Sequence, residues 1–219
     1  HCVTRRQRQM CIRDSTKWRA VIKISDGLPS KNCIRLNAHA LARYAALCQQ
    51  AKMVPIVEPE VLMDGSHDID RCFDVTSEVL KEVFAELNNQ KVALNGIVLK
   101  PNMVISGMDA ANRADIPTVA SATVKCLSEN VPDEVPGIAF LSGGQTSEEA
   151  TGHLNAMNEM GPHPWQLTFS YGRALQAEPL NAWSGEDENI PAAQESFIKR
   201  SRLNSLARTG NYHPQMEEA

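Results

Sequence analysis

The sequence predicts an α/β protein of the (β/α)8, or TIM, barrel family, present as a partial barrel of about five β/α units. Three observations predict it. Segments rich in β-forming residues alternate five times with segments of helical period, the order that builds a parallel sheet with helices outside it. Charged and polar residues recur in or just after the strand segments, as expected where one end of a barrel carries the chemistry. No Gly-x-Gly-x-x-Gly turn follows an early strand, although an open nucleotide-binding sheet would favour one.

The elements follow in chain order. Trp18–Ile24 is rich in β-formers and reads as the first strand. Ala38, Leu41, Ala45 and Cys48 share one helical face. Val54–Val57 is a short strand that runs into Glu58-Pro59-Glu60. Ile69, Phe73, Thr76, Leu80, Val83 and Leu87 keep a 4-3-4-3-4 spacing, an amphipathic helix that Asp68 can cap. Gly96–Leu99 is an apolar run bounded by Gly and Pro, a buried strand closed by Lys100. Pro117 to Leu127 is a helix with proline in its first turn, halted before Pro132. Gly137–Leu141 is the fourth strand and runs into Ser142-Gly143-Gly144. Thr146-Ser147-Glu148-Glu149 has the form of a capping box and opens a helix that ends at Gly161-Pro162. Gln166–Tyr171 is the fifth strand. Gly172-Arg173 opens another helix, and a last one covers about Pro191 to Arg208.

Composition narrows the function classes. The chain has 219 residues, 42% hydrophobic and 22% charged, enough for one sizeable core. Residues 1–15 carry four Arg and one Asp, so the net charge of −4 leaves an acidic body of −7. That balance argues against nucleic acid as a partner. No apolar run is long enough for a membrane span or a secretory signal. Six cysteines without a Cys-x-x-Cys pair or a metal-like spacing with His point to reduced thiols, and the expected compartment is the cytoplasm. Residues 1–15 lack either period and begin without Met. They are expected to be a non-native extension, such as translated vector or adapter sequence, rather than a basic arm, with residues 16–219 forming the barrel domain.

Lys100 is the sharpest chemical signal. A buried ammonium is costly, and a lysine that sheds its proton near neutral pH attacks carbonyls and forms Schiff bases. A lysine snorkelling at a strand end is the plain alternative. Glu58 and Glu60 alternate, so both point one way: a solvated edge, or acid–base groups beside a nucleophile. Lys17 and Arg19 alternate likewise, as surface charges or as cations for an anionic substrate. Ser142-Gly143 ahead of a helix is a weak anion-loop signal, to which Gly172-Arg173 adds a guanidinium. Phosphate binding after the last two strands is common in barrels, which joins these two segments.

Five motifs carry a family resemblance from about Lys17 to about Pro214: Lys17-Trp18-Arg19, Pro55-Ile56-Val57-Glu58-Pro59-Glu60, Leu99-Lys100-Pro101-Asn102, Leu141-Ser142-Gly143-Gly144-Gln145 and Ser170-Tyr171-Gly172-Arg173-Ala174-Leu175-Gln176. In this order and spacing the chain resembles the C-terminal portion of a class I fructose-1,6-bisphosphate aldolase, without roughly the first three β/α units. The resemblance implies cleavage of fructose 1,6-bisphosphate to dihydroxyacetone phosphate and glyceraldehyde 3-phosphate, and the reverse condensation. It matches Lys100 to the Schiff-base lysine, Glu58 to the acid–base carboxylate, Glu60 to its neighbour in the charge network, and Lys17 to the second active-site lysine. It puts Arg19 near the 6-phosphate and Ser142, Gly143, Gly172 and Arg173 at the 1-phosphate. It implies no metal and no cofactor beyond the covalent lysine imine, phosphorylated ketose and triose partners, and a homotetramer for the full-length parent. The absent units would include an aspartate and a lysine of the site, and the chain stops without the longer tail of the animal enzymes, so this fragment itself is expected to be inactive. Two other readings share part of the pattern: another Schiff-base phosphosugar aldolase or transaldolase, and a non-catalytic scaffold.

Overall fold

The computed structural model describes residues 14–218. Five strands form one sheet in the order β1-β2-β3-β4-β5, every neighbouring pair parallel. They are β1 (Ser15–Ile22), β2 (Val54–Val61), β3 (Val98–Leu99), β4 (Gly137–Phe140) and β5 (Gln166–Phe169). Helices α1 (Lys31–Gln50), α2 (Ile69–Asn89), α3 (Ile116–Asn130) and α4 (Ser147–Glu159) follow the first four strands in turn. Helices α5 (Arg173–Trp183) and α6 (Ile190–Ala207) follow β5. Five parallel strands in sequential order, with helices between them, are the expected partial barrel. β1 and β5 each have one neighbour among the described residues.

Local chemistry explains where the helices start. Ser30 Oγ accepts from Cys33 N at 3.2 Å, Asp68 Oδ1 from Arg71 N at 2.8 Å and Asp115 Oδ1 from Thr118 N at 3.0 Å. Thr146 and Glu149 complete the reciprocal capping box expected there, at 3.1 and 2.9 Å. Each cap satisfies donors that a helix start leaves unpaired and contributes about 1 kcal/mol. Along α2 the residues Cys72, Val79, Leu80, Val83 and Leu87 are all buried. Their burial against the sheet is worth roughly 1.5–3 kcal/mol for each large apolar side chain.

Four boundaries differ from the sequence expectation. β1 starts at Ser15, opposite Val54, so the break drawn after residue 15 falls inside a strand. The rest of that segment, residues 1–13, lies outside the described residues. α1 begins seven residues before Ala38, because Ser30 supplies a cap. β2 continues through Glu58, Pro59 and Glu60 to Val61. β3 shrinks to Val98–Leu99, because the chain turns off the ladder at Pro101. In β1, Ala20 and Ile22 enter the core with α1, while Lys17, Arg19 and Val21 lie on the opposite, open face.

At the C-terminal end Arg200 of α6 is 1% exposed. Its Nη1 donates to Glu217 Oε2 at 2.6 Å, and Tyr212 Oη donates to Glu217 Oε1 at 2.9 Å. This buried group pins the Pro214–Glu217 turn against α4 and α6.

Candidate active site

The site is assembled from strand ends. β1 and β2 run in register with Arg19 opposite Glu58 and Val21 opposite Glu60. Because both strands alternate in phase, Lys17, Arg19, Glu58 and Glu60 share the face away from the helices. Each cation reaches the carboxylate two places further along. Lys17 Nζ lies 2.7 Å from Glu58 Oε2, and Arg19 Nε donates to Glu60. That hydrogen bond holds the Arg19 guanidinium above its ordinary pKa, against the opposing effect of desolvation.

Lys100 comes from the next strand. Its backbone N donates to Val57 O at 2.8 Å, the last rung between β2 and β3. Its side chain is buried, and Nζ lies 3.0 Å from Glu58 Oε1. Glu58, itself 2% exposed, therefore holds one lysine on each oxygen. Glu58 Oε2 makes no well-directed hydrogen bond, so its link to Lys17 is coulombic. The buried lysine read from the sequence is thus a buried ion pair, which offsets part of the desolvation cost.

The opposite wall comes from β4, β5 and the start of α5. Ser142 is buried just past β4, and its Oγ accepts from Ala174 N at 3.4 Å, joining this loop to the first turn of α5. A Cβ on Gly143 would meet the Met63 side chain at 2.7 Å, and Gly144 adopts φ +70°, so close packing accounts for both glycines. A Cβ on Gly172 would meet nothing within 4 Å, which leaves open space beside the helix start. Arg113 braces the loop from behind: it donates to Gly144 O at 3.0 Å and pairs with Glu149 at 3.3 Å.

All nine residues singled out in the sequence line one cavity of about 300 Å3: Lys17, Arg19, Glu58, Glu60 and Lys100 on one side, Ser142, Gly143, Gly172 and Arg173 on the other. Leu141 and Ser170 also line it. Both stand inside motifs whose neighbours drew attention, and only their position next to those neighbours signals them. Arg113 was not foreseen, since a lone arginine in a loop carries no local pattern. Four cationic side chains face two carboxylates, so the cavity suits an anion. Among the described residues no cluster of His, Cys, Asp and Glu is spaced to hold a metal ion, and no helix is long and apolar enough to cross a membrane. Cys33, Cys48, Cys72 and Cys126 are free thiols, and burial raises the last three above their ordinary pKa.

A lysine and a carboxylate paired at the strand ends of a parallel α/β sheet, in a cavity with an excess of cationic side chains, place the chain in the class of α/β-barrel proteins whose site lies at the C-terminal ends of the strands. The family model for class-I fructose-bisphosphate aldolase matches residues 7–219, and the chain belongs to that family. Fructose-bisphosphate aldolase B of Gallus gallus is 56% identical over 200 residues, which are 91% of this chain and 55% of the relative. A probable class 1 fructose-bisphosphate aldolase of Xanthomonas axonopodis pv. citri is 51% identical, over 90% of this chain and 59% of its own. The solved structure of the Plasmodium falciparum aldolase, in complex with TRAP and a small-molecule inhibitor, superposes with a TM-score of 0.89 at 48% identity. That match covers 91% of this chain and 58% of that one. The chain thus spans between half and three-fifths of the length of these relatives.

Proposed function

We propose that the whole protein cleaves fructose 1,6-bisphosphate to dihydroxyacetone phosphate and glyceraldehyde 3-phosphate through an imine on Lys100. One observation carries this reading: Lys100 and Glu58 stand 3.0 Å apart in the cavity whose far wall is the Ser142 and Arg173 anion site. Lys100 passes its ammonium proton to Glu58, and the neutral amine adds to the C2 carbonyl to form a carbinolamine. Glu58 as an acid protonates the departing hydroxyl, which leaves as water, and a protonated imine remains. The C4 hydroxyl then loses its proton to a base, the C3–C4 bond breaks, and its electron pair passes into the iminium to give an enamine. The aldehyde departs as glyceraldehyde 3-phosphate. Protonation of the enamine at C3 and hydrolysis of the imine release dihydroxyacetone phosphate and restore the lysine.

Glu60 and Arg19 complete the charge network around Glu58, with Arg19 towards the 6-phosphate. Lys17 holds the second oxygen of Glu58. Ser142, Gly143, Gly172 and Arg173 take the 1-phosphate, where backbone N–H groups and a guanidinium favour a dianion. The iminium is the electrophile, so the reaction needs no metal. The whole protein is read as a cytoplasmic homotetramer.

Borohydride added to the whole protein with dihydroxyacetone phosphate should fix the substrate on Lys100. Lys100→Met should abolish both labelling and cleavage. EDTA should leave activity intact. Label found on Lys17, or an EDTA loss restored by zinc, would overturn the reading.

A further inference from the structure

We propose that Asn102 is the positioning residue that sets Glu58 and Glu60 against Lys100; the inference rests on the imine reading of Lys100. On β2, backbone groups alternate between the two neighbouring strands. Val57 O accepts from Lys100 N on the β3 side, and Leu62 N donates to Ile22 O on the β1 side. The β3 side therefore meets Val57, Pro59 and Val61. Pro59 has no N–H to give there, and β3 ends at Leu99 just before Pro101. The β2–β3 ladder thus stops at Lys100, where alignment of the two strands decides whether Glu58 meets the lysine.

Asn102 carries the alignment onward. Its Oδ1 accepts from Val61 N at 3.0 Å, replacing the carbonyl that a longer β3 would have presented. Its Nδ2 donates to Thr76 Oγ1 of α2 at 3.1 Å and to Met103 O at 3.0 Å, which fixes the plane of the amide. The side chain is 2% exposed, so no water replaces these bonds cheaply. Pro101 O accepts from Leu141 N at 3.2 Å on the other flank, which ties the residue between Lys100 and Asn102 to the segment leading into Ser142. One amide thus joins the end of β2, the turn after Lys100 and α2. It lines no part of the cavity, so its effect on the reaction passes through Glu58 and Lys100.

The test compares Asn102→Leu, Asn102→Asp and Thr76→Val in the whole protein, with two readouts. The first is hydrogen exchange of the Val61 amide, which needs no catalysis. Asn102→Leu should speed it about tenfold or more, the loss expected for one buried hydrogen bond. Asn102→Asp keeps the acceptor oxygen and should restore part of the protection. The second is the split between kcat and KM. A shift of about 1 Å in reacting groups costs on the order of 100-fold in rate. Asn102→Leu should therefore lower kcat and the borohydride-trapping rate by about 10- to 100-fold while KM changes little, because Arg173 and Ser142 stay in place. Thr76→Val frees only Nδ2 and should give a smaller loss in the same direction; it decides the matter if Asn102→Leu does not fold. A folded Asn102→Leu protein with unchanged Val61 exchange and unchanged kcat would overturn the proposal, as would a loss confined to KM. Wild-type protein that traps no substrate would instead overturn the imine reading, and the Val61 exchange would then decide whether Asn102 aligns the strands.

Discussion

Glu58 places one carboxylate between two lysines from two different strands, and the proposed chemistry depends on its being held there to take up and return a proton. Glu58→Gln keeps the shape and removes the charge that both ammonium groups face. General acid–base groups contribute about 100- to 10,000-fold, so kcat for cleavage in the whole protein should fall within that range. Steady-state kinetics with parallel borohydride trapping would check this; unchanged kcat would remove Glu58 from the proton-transfer role. Arg173 belongs to the other wall, and its loss should read out differently. A charge-assisted hydrogen bond is worth roughly 1.5–3 kcal/mol, so Arg173→Ala should weaken bisphosphate binding by roughly 10- to 150-fold. That change should appear mainly in the Michaelis constant, and an unchanged constant with unchanged turnover would contradict the phosphate role. Residue types and alternation made these side chains legible, since Glu58/Glu60 and Lys17/Arg19 each share a face in any strand. Their pairing was not legible, because which carboxylate meets which cation is set by the β1–β2 register and no local pattern states it.

At the scale of elements, periodicity and capping served where the signal is local. The 4-3-4-3-4 spacing of α2 with Asp68, and the Thr146–Glu149 box of α4, are complete within one segment. The start of α1 lies ahead of the stripe drawn from Ala38: Ile34, four residues earlier, is buried on the same face, and the cap at Ser30 rather than an apolar residue marks the first turn. β2 looked finished at Val57 because charged residues and a proline follow. It continues because Lys17 and Arg19 pair with those charges from β1, and Pro59 faces the side where β3 has ended. Helix α4 also carries a titrating device. His153 is buried 2.7 Å from Gln145 Oε1, just past the Ser142 loop, and burial pulls its pKa down to about 4, outweighing the opposite pull of Glu149. The unfolded chain binds this proton near pH 6.5, whereas the folded protein resists it until about pH 4. Between these values the unfolded state holds more protons, so stability falls as pH drops from 6.5 towards 4 and is fully regained above 6.5. The loss is on the order of 3 kcal/mol. Thermal melts of the whole protein across this window should drop more steeply for wild type than for His153→Leu, whereas parallel curves would show that the imidazole does not contribute.

At the scale of the whole molecule, the described sheet is open on both sides. β1 presents an eight-residue edge and β5 a shorter one, and unpaired edges of this kind template aggregation. The helix layer is open as well. Leu180, Trp183, Ile190, Phe197 and Ile198 line a groove of about 580 Å3 between α5 and α6, and all five are exposed. At the other flank Trp18 and Leu47 are each more than half exposed beside Tyr44. Val21 is 44% exposed on the face that a closed barrel would fill. Clustered exposed apolar side chains of this kind mark surfaces that are covered in an assembly or that drive association. Each large side chain left in water forfeits roughly 1.5–3 kcal/mol of burial, so these residues together forfeit an amount comparable to the whole net stability of a domain, about 5–15 kcal/mol. Residues 1–219 expressed alone should therefore be insoluble or molten, and without aldolase activity. Calorimetry, sedimentation and binding of a hydrophobic dye would show a broad or absent melt, association and exposed apolar surface. A soluble monomer with one cooperative transition that cleaves fructose 1,6-bisphosphate would refute this expectation. In that case the pairs Lys17–Glu58–Lys100 and Arg19–Glu60 would have to hold five strands in working order by themselves, with the α5–α6 groove tolerated in water.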